Sequence, residues 1–286
     1  MHLFELRQAS AADFAVAIEW AAAEGWNPGL DDLAAFHGAD PQGFLIGRLD
    51  NEPVSSISVV RYGRDFGFLG FYIVHPDHRG KGWGIATWNA GMTYLEGRVV
   101  GLDGVVDQQD NYRKSGFVYA GRNVRHTGRP AVGAGEENTA AVRSVTADDL
   151  PALLAFDRPF FAAPRERFIE PWIRPDAGIR RTAKLAVTDG EISGYGVIRA
   201  CRSGFKIGPL FAEDEKTATG LFLALCGDAG PEAEISLDTP EDNPAAVRLA
   251  ERFGLQPVFE TARMYRGTAP GLPLPRIFGI TTFELG

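Results

Sequence analysis

The sequence predicts an α/β protein made of two copies of one folding unit. Its 286 residues are close to twice the roughly 150 residues expected of one domain. Hydrophobic residues make up 45% and charged residues 23%, which is typical of a globular protein. Strand-like and helix-like stretches alternate in each half, and segments of the first half recur in the second. These observations exclude a disordered chain, a collagen-like repeat and a coiled coil.

Hydrophobic periodicity and turn residues define the elements of the first half. Ser10 is a typical helix N-cap, and the Gly/Pro-containing residues 25–29 end the helix that it begins. A polar–apolar alternation around a turn at residues 50–53 predicts a hairpin. The predicted strands are residues 3–7, 44–49, 54–61, 66–74, 99–106 and 117–119, and the predicted helices start at residues 10, 31, 82 and 107.

Four matched positions predict that the second half repeats the first. Asp50, Gly82, Asp103 and Gly116 lie opposite Asp189, Gly220, Asp238 and Gly254, at an offset of about 138 residues. The Gly/Pro-rich residues 127–138 between the copies are typical of a linker. We therefore expect domains at residues 1–126 and 139–286, and the apolar, alternating residues 278–285 should dock back onto the body.

Charge and cysteine content exclude several classes of protein. The 37 acidic and 29 basic residues give a formal net charge of −8, which argues against a nucleic-acid or membrane partner. Two cysteines, Cys201 and Cys226, are too few for a disulfide framework or a thiolate metal site, so we expect no metal. The sequence has neither an apolar stretch long enough to span a membrane nor a signal peptide, and we expect a cytoplasmic protein.

The most specific segment, residues 71–86, reads FYIVHPDHRGKGWGIA. An apolar strand ends, a basic glycine-rich turn follows, and a helix begins. Backbone N–H groups at a helix N-terminus bind anions, and glycines let a phosphate approach the backbone. The segment therefore predicts a pyrophosphate site. Its expected ligand-binding residues are Arg79, Gly80, Lys81, Gly82, Trp83, Gly84 and Ile85.

Among the known phosphate-binding patterns, neither the P-loop nor the dinucleotide fingerprint fits this spacing. Arg79, Gly82 and Gly84 instead form Arg-x-x-Gly-x-Gly, and over residues 45–120 the sequence resembles the GCN5-related N-acetyltransferase (GNAT) superfamily. The resemblance implies an α/β (α+β) fold of two tandem GNAT-like domains. Each would have a mixed, mostly antiparallel central sheet flanked by helices. It also implies acetyl-CoA, or another acyl-CoA, as cosubstrate.

A second motif, YRKSGF at residues 112–117, resembles the Tyr-x-Lys-x-Gly-Phe of the same family. The resemblance implies that Tyr112 is the general acid for the departing thiolate, with Asn111 and Lys114 near the cosubstrate. The family's asparagine usually lies several residues before the tyrosine, so the role of Asn111 stays open. In the strand before the glycine turn, Ile73 and Val74 would present backbone groups, with the Ile73 amide as oxyanion donor.

The attacking amine must lose a proton, and three side chains are candidate bases. Asp103 lies in an apolar strand where an unpaired carboxylate is costly, so it is either a base or amine-binding residue or a partner in a structural ion pair. Asp107 and His75 are further candidates, and a water chain is an alternative. Trp26 and Asn27 lie where the family forms one wall of the acceptor site, although Trp26 also suits core packing.

The second copy lacks these features. Thr217 and Phe222 stand opposite Arg79 and Gly84, and Ala250 stands where the tyrosine would be. We therefore expect a degenerate domain that serves as a scaffold and shapes the acceptor pocket.

Together, these residues favour an N-acetyltransferase that moves an acetyl group from acetyl-CoA to a small-molecule primary amine by direct attack in a ternary complex. The protein would be a monomer or homodimer. The alternative is a non-catalytic acyl-CoA-binding sensor or regulatory module, which would not need Tyr112. A kinase would need magnesium-binding acids near the glycine turn, where only Asp77 is present.

Overall fold

The computed structural model describes residues 3–130, 141–174 and 180–286, and its strands form one continuous sheet. The strands are β1 (Phe4–Gln8), β2 (Phe44–Leu49), β3 (Glu52–Tyr62), β4 (Phe66–Val74), β5 (Val99–Val105), β6 (Val118–Gly128), β7 (Ala141–Ser144), β8 (Arg181–Thr188), β9 (Glu191–Ala200), β10 (Phe205–Ala212), β11 (Ile235–Pro240), β12 (Gln256–Arg266) and β13 (Ile277–Gly279). The helices are α1 (Ala11–Ala23), α2 (Asp32–Ala39), α3 (Trp83–Tyr94), α4 (Gln109–Lys114), α5 (Leu150–Asp157), α6 (Glu166–Ile173), α7 (Glu215–Ala229) and α8 (Pro244–Arg252).

Local chemistry explains several of these elements. Helix α1 begins at a capping box, in which the Asp13 N–H donates to Ser10 Oγ and the Ser10 N–H donates to Asp13 Oδ2. The β2–β3 hairpin turns through Asp50 and Asn51, at φ 50° and 73°. The β8–β9 hairpin turns through Asp189 and Gly190, at φ 52° and 87°. Both hairpins therefore use left-handed turn residues, in agreement with the repeat.

The two halves exchange their last long strands. The strand order is β1-β2-β3-β4-β5-β12-β6-β11-β10-β9-β8-β7, so β12 of the second half pairs with β5 of the first, and β6 pairs with β11. Only the β4–β5 and β10–β11 pairs are parallel among these neighbours. This confirms the predicted mixed, mostly antiparallel α/β fold, but the halves share a single sheet rather than having one each.

Two arginine–aspartate pairs join the exchanged strands. The Arg263 side chain of β12 donates two hydrogen bonds to Asp103 of β5, at 2.9 and 2.6 Å. Arg125 of β6 donates two to Asp238 of β11, at 2.7 and 2.8 Å. These are matching positions of the repeat, and each pair links one half to the other. Charge-assisted bidentate pairs of this kind have demanding geometry, so they help to set the register of the strands.

Each half contains a pair of parallel strands that separate. Strands β4 and β5 pair only from Phe66↔Val99 to Leu69↔Leu102, and β10 and β11 only from Phe205↔Ile235 to Ile207↔Leu237. In the second half β13 fills the gap: it pairs with β10, and the following residue, Ile280, donates its N–H to the Asp238 carbonyl at 2.9 Å. In the first half the corresponding gap opens into a pocket.

Residues 277–286, here called the closing segment, run from the second half into the first. Tyr62 Oη donates to the Leu285 carbonyl at 3.1 Å, and Arg165 donates to Thr281 Oγ1 at 3.0 Å. A Cβ on Gly70 of β4 would lie 2.1 Å from the Glu284 carbonyl oxygen, so this crossing requires glycine. The segment docks as expected, although only its first three residues form a strand.

Some sequence-predicted boundaries differ from the structure. Strand β6 continues to Gly128, two residues into the predicted linker, and residues 131–138 of that linker lie outside the described residues. Gly220 lies within α7 rather than at its start, where Asp214 is the N-cap. Residues 75–82 separate β4 from α3, whereas only residues 213 and 214 separate β10 from α7. The second half therefore lacks the glycine turn itself, not merely its glycines.

Among the described residues, no helix is both long and apolar enough to cross a membrane.

Candidate active site

A pocket of about 420 Å³ opens where β4 and β5 separate. Residues 69–74 of β4 and 102–105 of β5 form two walls, and Tyr112 of α4 lies beside them. Phe259 and Thr261 of β12, together with Phe283 and Glu284 of the closing segment, form a further part of the wall. The second half therefore contributes part of the wall.

The glycine turn adjoins this pocket through Arg79, which is one of the lining residues. Gly80 and Gly82 have φ of 74° and 88°, in the left-handed region that favours glycine. A Cβ on either residue would meet no atom within 4 Å, so both face open space. Gly82 is the N-cap of α3 and offers no capping side chain, which leaves the first N–H groups of the helix available to an anion.

The two basic residues of the turn are held in place by backbone carbonyls. Arg79 Nε donates to the Val74 carbonyl at 3.0 Å, and the Arg79 guanidinium also pairs with Glu24 of the chain after α1. Lys81 Nζ donates to the Asp77 carbonyl at 2.7 Å. An arriving phosphate would compete with Glu24 for the Arg79 charge.

Of the three other predicted residues of this region, Gly84 and Trp83 contact protein, whereas Ile85 is exposed. A Cβ on Gly84 would lie 2.9 Å from Val74 and 3.0 Å from Tyr72 Oη, so this glycine allows α3 to pack against β4. The Trp83 ring stacks on Phe4, with 4.6 Å between centroids. Ile85 is exposed on α3, at 59%.

Tyr112 is buried, at 8% exposure, and its ring stacks on Trp88 with 5.7 Å between centroids. A Cβ on Gly104 would lie 2.2 Å from the Tyr112 ring, so that glycine makes room for the tyrosine. Burial, with a smaller contribution from Tyr72, raises the pKa of Tyr112 to about 12. The phenol therefore remains protonated at neutral pH and can donate a proton into the pocket.

Asn111 and Lys114 lie on the exposed side of α4, where Asn111 Nδ2 donates to Gln108 Oε1 at 2.8 Å. Neither residue is among those that form the pocket wall.

Ile73 and Val74 line the pocket beside an irregularity in β4. Pairing between β3 and β4 shifts between Ser56 and Ser58, and Phe71 adopts a φ of 45°, which is unusual for a residue with a side chain. The Ser56 hydroxyl donates to the Phe71 carbonyl at 2.9 Å and so holds this bulge. Bulges of this kind re-aim backbone groups near functional sites.

Of the three candidate bases, Asp103 lines the pocket but has its carboxylate fully engaged. Besides the two bonds from Arg263, it accepts one from Asn123 Nδ2 at 2.8 Å, and its side chain is not exposed. Asp107 lies at the exposed rim. The His75 ring packs near Trp20, with 5.8 Å between centroids, and does not line the pocket.

The two predicted acceptor-site residues lie in different places. Trp26 lines the pocket, and its carbonyl accepts hydrogen bonds from Arg125 and Lys206, both at 3.0 Å. Asn27 does not reach the pocket wall. Its side chain instead exchanges two hydrogen bonds with the Ser203 backbone, at 2.8 and 3.0 Å, and so joins the two halves.

Sequence reasoning missed the wall residues supplied by the second half: Phe259, Thr261, Phe283 and Glu284. Their contribution depends on strand exchange and on the path of the closing segment. One local signal did exist, because Glu284 is an acidic residue within an otherwise apolar stretch, where burial of an unpaired carboxylate is costly.

Comparisons with known proteins agree with this geometry. Residues 6–117 match the Acetyltransferase (GNAT) family, and residues 153–279 match the Acetyltransferase (GNAT) domain. Holothin acyltransferase from Pseudoalteromonas sp. (strain SANK 73390) is 32% identical over 283 residues, covering 98% of this chain and 94% of that protein.

Two solved structures share the fold along nearly the whole chain. A protein from Pyrococcus horikoshii has a TM-score of 0.79 at 22% identity, and the match covers 99% of this chain and 96% of that one. A tandem GNAT protein from the clavulanic acid biosynthesis pathway has a TM-score of 0.62 at 15% identity, with coverage of 94% and 100%.

Proposed function

The chain belongs to the GNAT acetyltransferase family and is an acyltransferase of that type, and on that premise we propose that it transfers an acetyl group from acetyl-CoA to the primary amine of a small molecule. One observation carries the proposal. The strand pair β4–β5 separates at a pocket whose lining includes Arg79 of the open glycine turn and the buried Tyr112.

The described residues fit acetyl-CoA. Arg79, Lys81 and the N-terminus of α3 would hold its pyrophosphate, and backbone groups of Ile73 and Val74 would line its pantetheine arm. When bound, the cosubstrate supplies a thioester whose carbonyl carbon accepts the amine. The Ile73 N–H would donate a hydrogen bond to the carbonyl oxygen as charge develops there, and Tyr112 would give its proton to the departing sulfur.

A small-molecule acceptor is supported by the limited volume of the pocket and by the name of one relative. Trp26, Phe71 and Phe283 give the pocket apolar walls, and its volume of about 420 Å³ leaves limited room beside the thioester. The similar protein of Pseudoalteromonas is named for the acylation of holothin. The two halves would then act as the catalytic domain, residues 1–126, and a supporting domain, residues 139–286, that completes the acceptor wall.

The direct test is thiol release from acetyl-CoA across a library of alkylamines, polyamines, amino sugars and arylalkylamines. We expect turnover by the wild-type protein and a decrease in kcat of roughly 10²-fold in Tyr112→Phe, because general acid catalysis contributes at least that much. Tyr119→Phe is the matched control, since Tyr119 is 47% exposed and lies outside this pocket. CoA binding without thiol release from any amine would favour the sensor alternative.

Gly82→Trp tests the glycine turn separately. The indole would occupy the open space in front of α3, so we expect the KM for acetyl-CoA to rise at least ~10-fold, the effect of losing about 1.4 kcal/mol of binding free energy. An unchanged KM would contradict the placement of the pyrophosphate.

The second half should add no further cosubstrate site, because β13 fills its gap and the glycine turn is missing. We therefore expect calorimetric titration with CoA to give one site per chain. A stoichiometry of two would contradict this interpretation, and Gly82→Trp should weaken the one site observed.

A further inference from the structure

The position of Glu284 is fixed on both sides. Its carbonyl oxygen lies against Gly70, and the following residue, Leu285, donates its N–H to Thr282 Oγ1 at 2.9 Å. The preceding residue, Phe283, packs on the Arg125 guanidinium, with 4.8 Å between that group and the ring centroid. The closing segment therefore holds Glu284 at the pocket, and Glu284 is one of the residues that line its wall.

Glu284 differs from the other carboxylates of the pocket. Asp103 accepts hydrogen bonds from Arg263 and Asn123, Glu24 is paired with Arg79, and Asp107 lies at the solvent-exposed rim. Glu284 is only 5% exposed, and its carboxylate accepts no hydrogen bond from any residue that the structure describes. A buried carboxylate with unused acceptor capacity is costly unless a ligand completes it.

Three buried cations, Arg125, Arg199 and Lys206, lie close enough to Glu284 to interact with its charge. Arg125 is paired with Asp238, and Arg199 is paired with Asp32. Lys206 has no carboxylate within ion-pair distance among the described residues and donates to the Trp26 carbonyl.

Burial and the Arg125 charge lower the pKa of Lys206, and the negative charge of Glu284 opposes this decrease. The buried cluster thus contains three cations, Arg125, Arg199 and Lys206. Its three anions are Asp238, Asp32 and Glu284.

We infer that Glu284 binds the acceptor ammonium and takes its proton. This assignment rests on the proposed function and names a catalytic residue supplied by the second half. The Glu284 carboxylate removes one proton from the ammonium, and the nitrogen lone pair forms the C–N bond. The C–S electron pair leaves on sulfur, which takes the Tyr112 proton. The second proton lost by nitrogen restores Tyr112 through water, and Glu284 releases its own proton to solvent.

Asp103 then has a different role. Its pair with Arg263 is repeated as Asp238 with Arg125, although β13 fills the corresponding gap of the second half. An ion pair that recurs beside a gap filled by β13 serves the exchanged strands. Asp103 is therefore a structural residue, and the acceptor's proton goes to Glu284.

The assignment is tested with Glu284→Gln and Glu284→Ala, using the amine that gives the highest wild-type rate. We expect Glu284→Gln to remain folded, with kcat/KM lowered by roughly 10²–10⁴-fold. Calorimetry without acyl donor should show weaker amine binding. In Glu284→Ala, added formate should restore part of the activity, because it can occupy the vacated carboxylate position. Glu232→Gln is the control, since the Glu232 side chain is 88% exposed.

Three outcomes would overturn the assignment. Wild-type kcat/KM in Glu284→Gln would remove its catalytic role. Lowered activity with unchanged amine affinity and no formate rescue would assign Glu284 to structure alone. A wild-type protein that releases no thiol with any amine would overturn the proposed function together with this assignment.

Discussion

Arg125→Ala is expected to lower the free energy of unfolding by about 3–5 kcal/mol, because it leaves the buried Asp238 carboxylate without its partner. Both side chains are 6% exposed, so water cannot replace the lost hydrogen bonds. The pair also joins β6 to β11 across the exchange between halves. The thermal unfolding midpoint should fall by roughly 10 °C, measured by scanning calorimetry or circular dichroism.

Two further variants separate charge from packing in this prediction. Arg125→Met combined with Asp238→Leu should recover much of the loss, because it removes both charges and keeps apolar volume. Arg64→Ala should change stability by less than about 0.5 kcal/mol, since Arg64 is 94% exposed and its ion pair with Asp65 is long, at 3.9 Å. Equal effects for Arg64→Ala and Arg125→Ala would contradict the role assigned to the buried pair.

Gly70→Ala is expected to lower thiol release by roughly 10²-fold, through displacement of the closing segment. The added Cβ would lie 2.1 Å from the Glu284 carbonyl oxygen, which is backbone and cannot rotate away. Residues 283–286 must therefore shift, and Glu284 shifts with them. The same overlap should lower the free energy of unfolding by about 1–3 kcal/mol. Steady-state kinetics and chemical denaturation measure the two effects.

Gly227→Ala is the matched control for this substitution. Gly227 lies within α7, and a Cβ there would meet no atom within 4 Å. Alanine should leave activity unchanged and stabilise the helix by about 0.5–1 kcal/mol. Wild-type activity in Gly70→Ala would show that the closing segment tolerates displacement and would remove it from the acceptor site.

The sequence predicted elements whose causes are local. Ser10 and Asp13 cap α1 through hydrogen bonds between residues three apart in the sequence. Gly82 has a φ of 88°, which glycine can adopt without support from distant parts of the chain. The residues that favour the hairpin turn at Asp50 lie within the turn itself. For the same reason, the residue types and spacing were sufficient to predict a glycine turn before α3, and the anion site at that turn stays a prediction.

Strand exchange could not be predicted because the repeat makes the alternatives alike. Arg125 of β6 and Arg263 of β12 occupy matching positions, and each would find an aspartate on either β5 or β11. The residue pattern therefore specifies an arginine opposite Asp103 without specifying which half supplies it. The composition of the pocket wall follows from that choice, so Phe259 and Glu284 were missed together.

The exchanged strands also constrain how the protein is made. Strand β5 ends at Val105, but its neighbour β12 begins at Gln256. At about 5–20 residues per second, a ribosome needs roughly 8–30 s to deliver that partner. Until then β5 lacks its native neighbour on that side, and a strand edge with unpaired N–H and C=O groups is a template for aggregation. Duplication has thus coupled completion of the first half to synthesis of the second.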